Sequence, residues 1–226
     1  MAGPLWAEQT GHGRALVLLH GNGETHHVFD RMVPILAPHH RLVALDSRGG
    51  GGSPRGDGPL TIARMADDVD DALAALALAS VDLLGFSDGG NIALELALRH
   101  TGRIGRLVVV GANLFPDGLR ASSLASTRLL HRAVRLAAHP RAQALAERLA
   151  LMTEDPHIEP SDLVRVDIPA LVVVGRRDVV RPRHSRLIAT SLPNARLATV
   201  ERAGHMLPIT HPKPLARLVE HFLDGQ

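Results

Sequence analysis

Short, uninterrupted apolar runs alternate along this chain with longer stretches whose apolar positions recur every three or four residues. Ala15 to Leu19 (ALVLL), Arg41 to Asp46 (RLVALD), Val81 to Phe86 (VDLLGF), Leu107 to Val110, Leu171 to Val174 (LVVV) and about Ala195 to Val200 carry the first pattern and predict strands. The second pattern predicts helices over about Thr25 to Leu36, Thr61 to Leu78 and Gly89 to His100, one after Pro182, and a last one built on Leu215, Leu218, Val219, Phe222 and Leu223. From 61 to 78, Ile62, Met65, Val69, Leu73 and Leu76 share one side while Asp67, Asp68, Asp70 and Asp71 fall mostly on the other, so one face is buried and one solvated. The stretch from Gly89 is apolar nearly all round and belongs between layers. Strands this continuous in Val and Leu suit an α/β fold: a mostly parallel sheet with helices on both faces.

The alternation breaks between about Asn113 and Asp167. That stretch has no strand-like run but two helical patterns, roughly Ser122 to Ala138 and Arg141 to Met152, divided by His139-Pro140. Proline there stops one helix and starts the next. The reading is a single domain over 1–226, with a core at about 1–112 and 168–226 and a helical insertion at about 113–167.

Composition then narrows the chemistry. A chain of 226 residues, 45% of them hydrophobic, can bury a core without disulfides or metal. With no cysteine, thiol nucleophiles and cysteine-ligated metals are excluded. The pI of about 10.2 suggests a strongly basic protein, but the net charge is only +2. The basic residues are 24 Arg and the single Lys213, and without Tyr or Cys little titrates between His and Arg. Acids nearly match bases and aromatics are 2% of the chain, so no nucleic-acid partner is expected. The longest apolar stretch, Ala72 to Val81, is about half a membrane span, and no secretion signal is visible at the start; a cytoplasmic protein without a membrane partner is expected. The pairs His26-His27 and His39-His40 lack metal-ligand spacing, so neither a metal nor another cofactor is expected.

The strongest chemical signal is Gly85-Phe86-Ser87-Asp88-Gly89, a G-x-S-x-G between an apolar strand and a helix. Such a turn strains the serine backbone and lifts its hydroxyl to the strand tip, and glycines on either side leave room for the crossing. A serine hydroxyl needs a base to take its proton and a carboxylate to orient that base. Asp178 follows the strand 171–174 and His205 follows the strand 195–200, completing the order Ser87, Asp178, His205. Asp82 and Asp117 are weaker rivals for the acid. His184 (in the helix after Pro182), His211 (in a surface loop) and His20 are weaker rivals for the base. Gly49 to Gly52 lacks a phosphate-loop ending and reads as a tight loop in which Arg48 and Asp46 make structural pairs.

These motifs together resemble the alpha/beta-hydrolase-fold serine hydrolases over nearly the whole chain. His20-Gly21-Asn22-Gly23 is similar to that family's oxyanion loop, Asp46-Ser47-Arg48-Gly49-Gly50-Gly51-Gly52-Ser53 to its D-x-R-G-x-G-x-S loop, and the insert from Asn113 lies where it carries a helical cap. The resemblance implies Ser87 as nucleophile, His205 as base, Asp178 as orienting acid, and an oxyanion hole from the backbone N–H groups of Asn22 and Asp88. It implies hydrolysis of a carboxylic ester or related acyl bond, with thioester, lactone, amino-acid ester and carbon–carbon cleavage as alternatives. Some relatives of this fold keep the triad and serve as ligand receptors, which is the alternative function.

Substrate-setting residues are fewer. The partner is expected to be a small acyl substrate, with Phe86 and Phe115 as aromatic contacts in a pocket otherwise lined by Leu, Met and Val. Asp88 reads as a carboxylate in a first helical turn, where the dipole favours it. Its context GFSDGG is also similar to GWSDGG of valacyclovir-type amino-acid ester hydrolases, which implies an acceptor for a substrate amino group. Arg128, Arg132 and Arg135 share a face of the first insert helix, and Arg141 and Arg148 one of the second; they read as a solvated face, the alternative being a cleft that takes anionic groups.

Overall fold

The computed structural model describes residues 5–100 and 102–225; the outermost residues of the expected 1–226 domain lie outside the described residues. Seven strands form one sheet: β1 (Ala7–Thr10), β2 (Ala15–Leu19), β3 (Arg41–Leu45), β4 (Val81–Phe86), β5 (Ile104–Val110), β6 (Ala170–Gly175) and β7 (Ala195–Val200), in the spatial order β1-β3-β2-β4-β5-β6-β7. All pairings are parallel except β1 with β3. Every predicted strand is present. The edge strand β1, AEQT, has no apolar run to reveal it and is half solvated.

The helices are α1 (Val33–Leu36), α2 (Ile62–Ala75), α3 (Asp88–Arg99), α4 (Ala121–Arg135), α5 (Pro140–Thr153), α6 (Pro182–Ser191), α7 (Leu207–Thr210) and α8 (Pro212–Leu223). The single helix predicted over 25–36 is instead a 3-10 turn at His26–Phe29 followed by the one-turn α1. Pro34 supplies no N–H to the ladder, and ahead of it the N–H groups of Val28, Asp30 and Met32 reach back only three residues, to the oxygens of Thr25, His27 and Phe29. Val28, Phe29, Met32 and Leu36 are nonetheless buried, which is why their spacing reads as helical.

Strand alternation divides the core in two. Val17, Leu19, Leu83, Val109 and Val172 point to one face with α2, α3 and α6; Leu16, Leu18, Leu84, Phe86, Val110 and Val173 point to the other with α8 and the 26–36 segment. α3 is sandwiched against the sheet as its all-round apolarity requires, with Ile92, Ala93, Leu94 and Leu96 fully enclosed. The stretch between β5 and β6 holds α4 and α5. It is fastened to the first face by Leu151, Ile158 and Leu163, and by Asp155 Oδ2, which accepts the Ile62 N–H at the start of α2 at 2.6 Å. No described helix is long and apolar enough to cross a membrane.

Candidate active site

The carboxyl ends of β2, β4, β5, β6 and β7 converge on one rim, where a parallel sheet places ligands. Ser87 sits between β4 and α3 at φ 55° and ψ −121°, in the left-handed half of the map where a side chain is strained. The glycines make that turn possible: a Cβ at Gly85 would lie 2.2 Å from the Gly89 oxygen, and one at Gly89 2.1 Å from the Leu19 oxygen. The Ser87 N–H donates to the Val110 oxygen at 2.8 Å, pinning the turn to the next strand.

Three side chains predicted from separate segments meet here. Ser87 Oγ lies 3.0 Å from His205 Nε2, and His205 Nδ1 lies 2.7 Å from Asp178 Oδ1. With Nδ1 donating to the carboxylate, Nε2 is left to accept the serine proton. Asp178 is fully buried, and its oxygens also accept the Val180 N–H at 3.0 Å and the Gly175 N–H at 3.4 Å. The insert braces it from outside: Arg120 Nε donates to the Asp178 carbonyl oxygen at 2.6 Å.

The loop after β2 closes over the serine. A Cβ on Gly21 would stand 2.9 Å from Ser87 Cβ, so the close approach requires glycine. His20 is buried and shapes this loop, its Nδ1 donating to the Gly21 oxygen at 2.7 Å and its Nε2 accepting the Ser47 N–H at 2.9 Å. Burial holds its pKa below the usual histidine value, in keeping with a neutral ring. The backbone N–H of Asp88 opens α3, and that of Asn22 lies in the loop; neither donates to a described protein acceptor. The Asp46 to Ser53 loop is tied down by separate partners: Asp46 accepts from His26 and the Gly52 N–H, while Arg48 pairs with Asp68.

A small cleft adjoins the loop, lined by Leu60, Met65, Ile92 and Leu151 among apolar residues and by Asn22, Glu24, Ser47, Asp88 and Arg148 among polar ones. Asp88 is 5% exposed; its Oδ1 accepts from Asn91 Nδ2 at 3.2 Å, and its Oδ2 accepts no hydrogen bond. Burial pushes its pKa up to about 7, with Asn22 opposing the rise and the Asp155 charge adding to it. Glu24, which accepts the Gly21 N–H at 3.1 Å, is also raised by burial.

Two anticipated contacts lie elsewhere. Phe86 is enclosed in the core of the opposite face, its ring 5.1 Å from that of His205, because even positions of β4 point away from the pocket. Phe115 packs edge-on against His184, 4.6 Å between ring centres, in a separate outer groove. Arg128, Arg132, Arg135 and Arg141 are solvated; of the five only Arg148 faces the pocket. Among the rivals, Asp82 is held by Arg14 at the far end of the sheet, and Asp117 is exposed. His184 accepts the Leu114 N–H and is lowered to about 4 by burial and then by Arg181 and Arg183. His211 lies not in a loop but at the joint of α7 and α8.

Sequence reasoning missed Gly111, whose φ of 62° and absent side chain make room for the His205 and Asp178 pair, and Ser47, whose buried Oγ is unpartnered at the pocket. Gly111 ends β5 much as Gly175 ends β6, which was the available signal.

Residues 14–138 match the family model described as alpha/beta hydrolase fold. Pimeloyl-[acyl-carrier protein] methyl ester esterase of Neisseria meningitidis is 28% identical, with 94% of each chain covered. The 2-hydroxymuconate semialdehyde hydrolase of Pseudomonas putida is 32% identical over 81% of this chain and 76% of its own. Among solved structures, a hydrolase from Pseudomonas aeruginosa PA01 superposes with a TM-score of 0.79 at 29% identity, covering 97% of this chain and 94% of its own.

Proposed function

The chain belongs to the alpha/beta hydrolase fold family and is a hydrolase; from that premise we propose that it cleaves a carboxylic ester or related acyl bond through a covalent acyl-serine. The observation that carries the reading is the relay from Ser87 Oγ through His205 to Asp178, at 3.0 and 2.7 Å, with the serine on a strained turn. In this reading residues 113–167 are a cap on one domain.

His205 Nε2 takes the Ser87 proton as Oγ bonds to the substrate carbonyl carbon. The N–H groups of Asn22 and Asp88, unused by the fold, receive the oxyanion; in other serine hydrolases such a donor is worth about 2.7–4 kcal/mol. The carbonyl re-forms as the bond to the leaving group breaks, and His205 passes its proton to that group. Water then yields a proton to His205 as its oxygen attacks the acyl carbon, and the bond from that carbon to Oγ breaks as His205 returns the proton to Oγ, releasing the acid and restoring Ser87. Asp178 keeps the imidazole in the Nδ1–H form and balances its transient charge.

Leu60, Met65, Ile92 and Leu151 suit an aliphatic acyl group, in line with the scarcity of aromatics. The relatives' names span a methyl ester esterase and a semialdehyde hydrolase, so the reaction is written as acyl transfer to water. The test is hydrolysis of p-nitrophenyl esters of graded acyl length by the wild type and by Ser87→Ala. Turnover confined to the wild type supports the proposal, and equal turnover by a folded Ser87→Ala ends it.

The place of Asp88 in the lining of this cleft favours a second reading at the level of substrate: an ammonium group beside the scissile ester would favour the ionised carboxyl and pair with it. Asp88→Asn would then lose its preference for amino-acid esters over plain esters. An unchanged preference would leave Asp88 a structural residue.

A further inference from the structure

Asn22 takes part in the proposed reaction through its backbone N–H, yet its side chain is committed elsewhere. Asn22 Nδ2 donates at 2.7 Å to the carbonyl oxygen of Arg148, in the body of α5 and 126 positions along the chain. α5 is fastened to the same corner by two further links: Arg148 Nη2 donates to the Gly49 oxygen at 3.0 Å, and Glu147 receives Arg55 through both oxygens at 2.8 and 3.0 Å.

The Asn22 N–H shares a planar peptide with the Gly21 oxygen, so the contacts of that oxygen already bear on its direction. Gly23, at φ +74°, follows Asn22 and leaves its far side the less constrained one. Gly21 is anchored at both backbone groups, its N–H to Glu24 and its oxygen to His20. Beyond that peptide Asn22 is held through its side chain, by the Arg148 oxygen and by the neighbouring Asp88 carboxyl. A donor that must meet an oxyanion at about 2.7–3.1 Å tolerates little misdirection.

We propose that α5 completes the aiming of the oxyanion donor: the Gly21 oxygen holds the peptide on one side and the Arg148 carbonyl holds the Asn22 side chain on the other, so the hole is fully formed only while α5 is docked on the loop. The Asn22 side chain is thus a positioning group, distinct from its own catalytic N–H. The inference rests on the acyl-serine reading above.

The experiment compares wild type with Asn22→Ala, and with Asn22→Leu, which keeps the side-chain volume and removes the donor; both retain the backbone N–H. Steady-state kinetics on a p-nitrophenyl ester are paired with inhibition by a trifluoromethyl ketone, whose serine adduct places an oxyanion in the hole. In variants that melt cooperatively, kcat falls about 10- to 100-fold with KM within about twofold, and the ketone weakens in proportion to kcat. An unchanged kcat overturns the inference, as does a fall in kcat/KM carried by KM with ketone affinity unaltered. A wild type that neither hydrolyses esters nor forms the adduct overturns the acyl-serine reading first, a result distinguishable from both.

Discussion

At Gly111 the chain turns with φ +62°, and a Cβ there would stand 3.0 Å from His205 Cε1 and 3.1 Å from Nδ1. Gly111→Ala therefore strains the backbone and displaces the imidazole, and kcat is expected to fall about 100-fold while the fold persists, checked by ester kinetics beside a thermal melt. Asp88 gives a prediction about pH. Its carboxyl, buried and raised from 3.8 to about 7, stays protonated in the folded protein across a range where the unfolded chain has released the proton. Below about pH 4 both states are protonated and the group has no effect; stability is lost as pH rises from there through 7, and the full deficit persists above. Asp88→Asn, which cannot ionise, should melt at least about 2–4 °C above the wild type at pH 8, with the gap closing towards pH 4. A constant gap would show that the carboxyl does not titrate near neutrality. Ser87, Asp178 and His205 were legible at this scale because each follows a strand and lies by a glycine. Ser47 and the pocket-facing Arg148 were not, since their roles come from neighbours far away in the chain, and Gly111 offered only its place at the end of β5. Phe86 misled because strand parity, not residue type, decides which face a side chain serves.

Helices and strands were legible where one period of burial dominates. α2 runs from a Thr61 cap whose Oγ1 accepts the Arg64 N–H at 3.2 Å, and its apolar stripe is the one read from spacing. Thr61→Ala should cost about 0.5–2 kcal/mol in denaturant unfolding, with catalysis unchanged; the Asp155 contact to the Ile62 N–H, also at this terminus, favours the lower end. The 26–36 segment escaped the reading because burial spacing survives there while the backbone bonds shorten to three-residue steps and Pro34 breaks the ladder. The edge strand β1 escaped for the opposite reason, pairing through its backbone without an apolar face. In the insert the two helices and their dividing proline were readable, but not which face meets the core. Leu124, His131, Ala146 and Leu149 turn inwards, whereas Leu129, Leu136 and four of the arginines are solvated.

For the molecule as a whole, alternation of strands and helices specified a parallel sheet, and the G-x-S-x-G turn specified the rim on which its chemistry would lie. The order β1-β3-β2-β4-β5-β6-β7 depends on crossovers that local patterning does not encode. The high pI carries no corresponding excess of charge at the pocket, where Arg148 and Arg48 face Glu24 and Asp88. The proposed function turns on Ser87 being made nucleophilic by His205, which lies 118 positions away in the chain and 3.0 Å away in space. The most direct measurement is peptide-level mass spectrometry after reaction with a fluorophosphonate, run on wild type, Ser87→Ala and His205→Ala. A single adduct on Ser87 in the wild type, none in Ser87→Ala and strongly slowed labelling in His205→Ala is the predicted result. An adduct on another residue, or labelling of Ser87 at an equal rate without His205, would contradict the account.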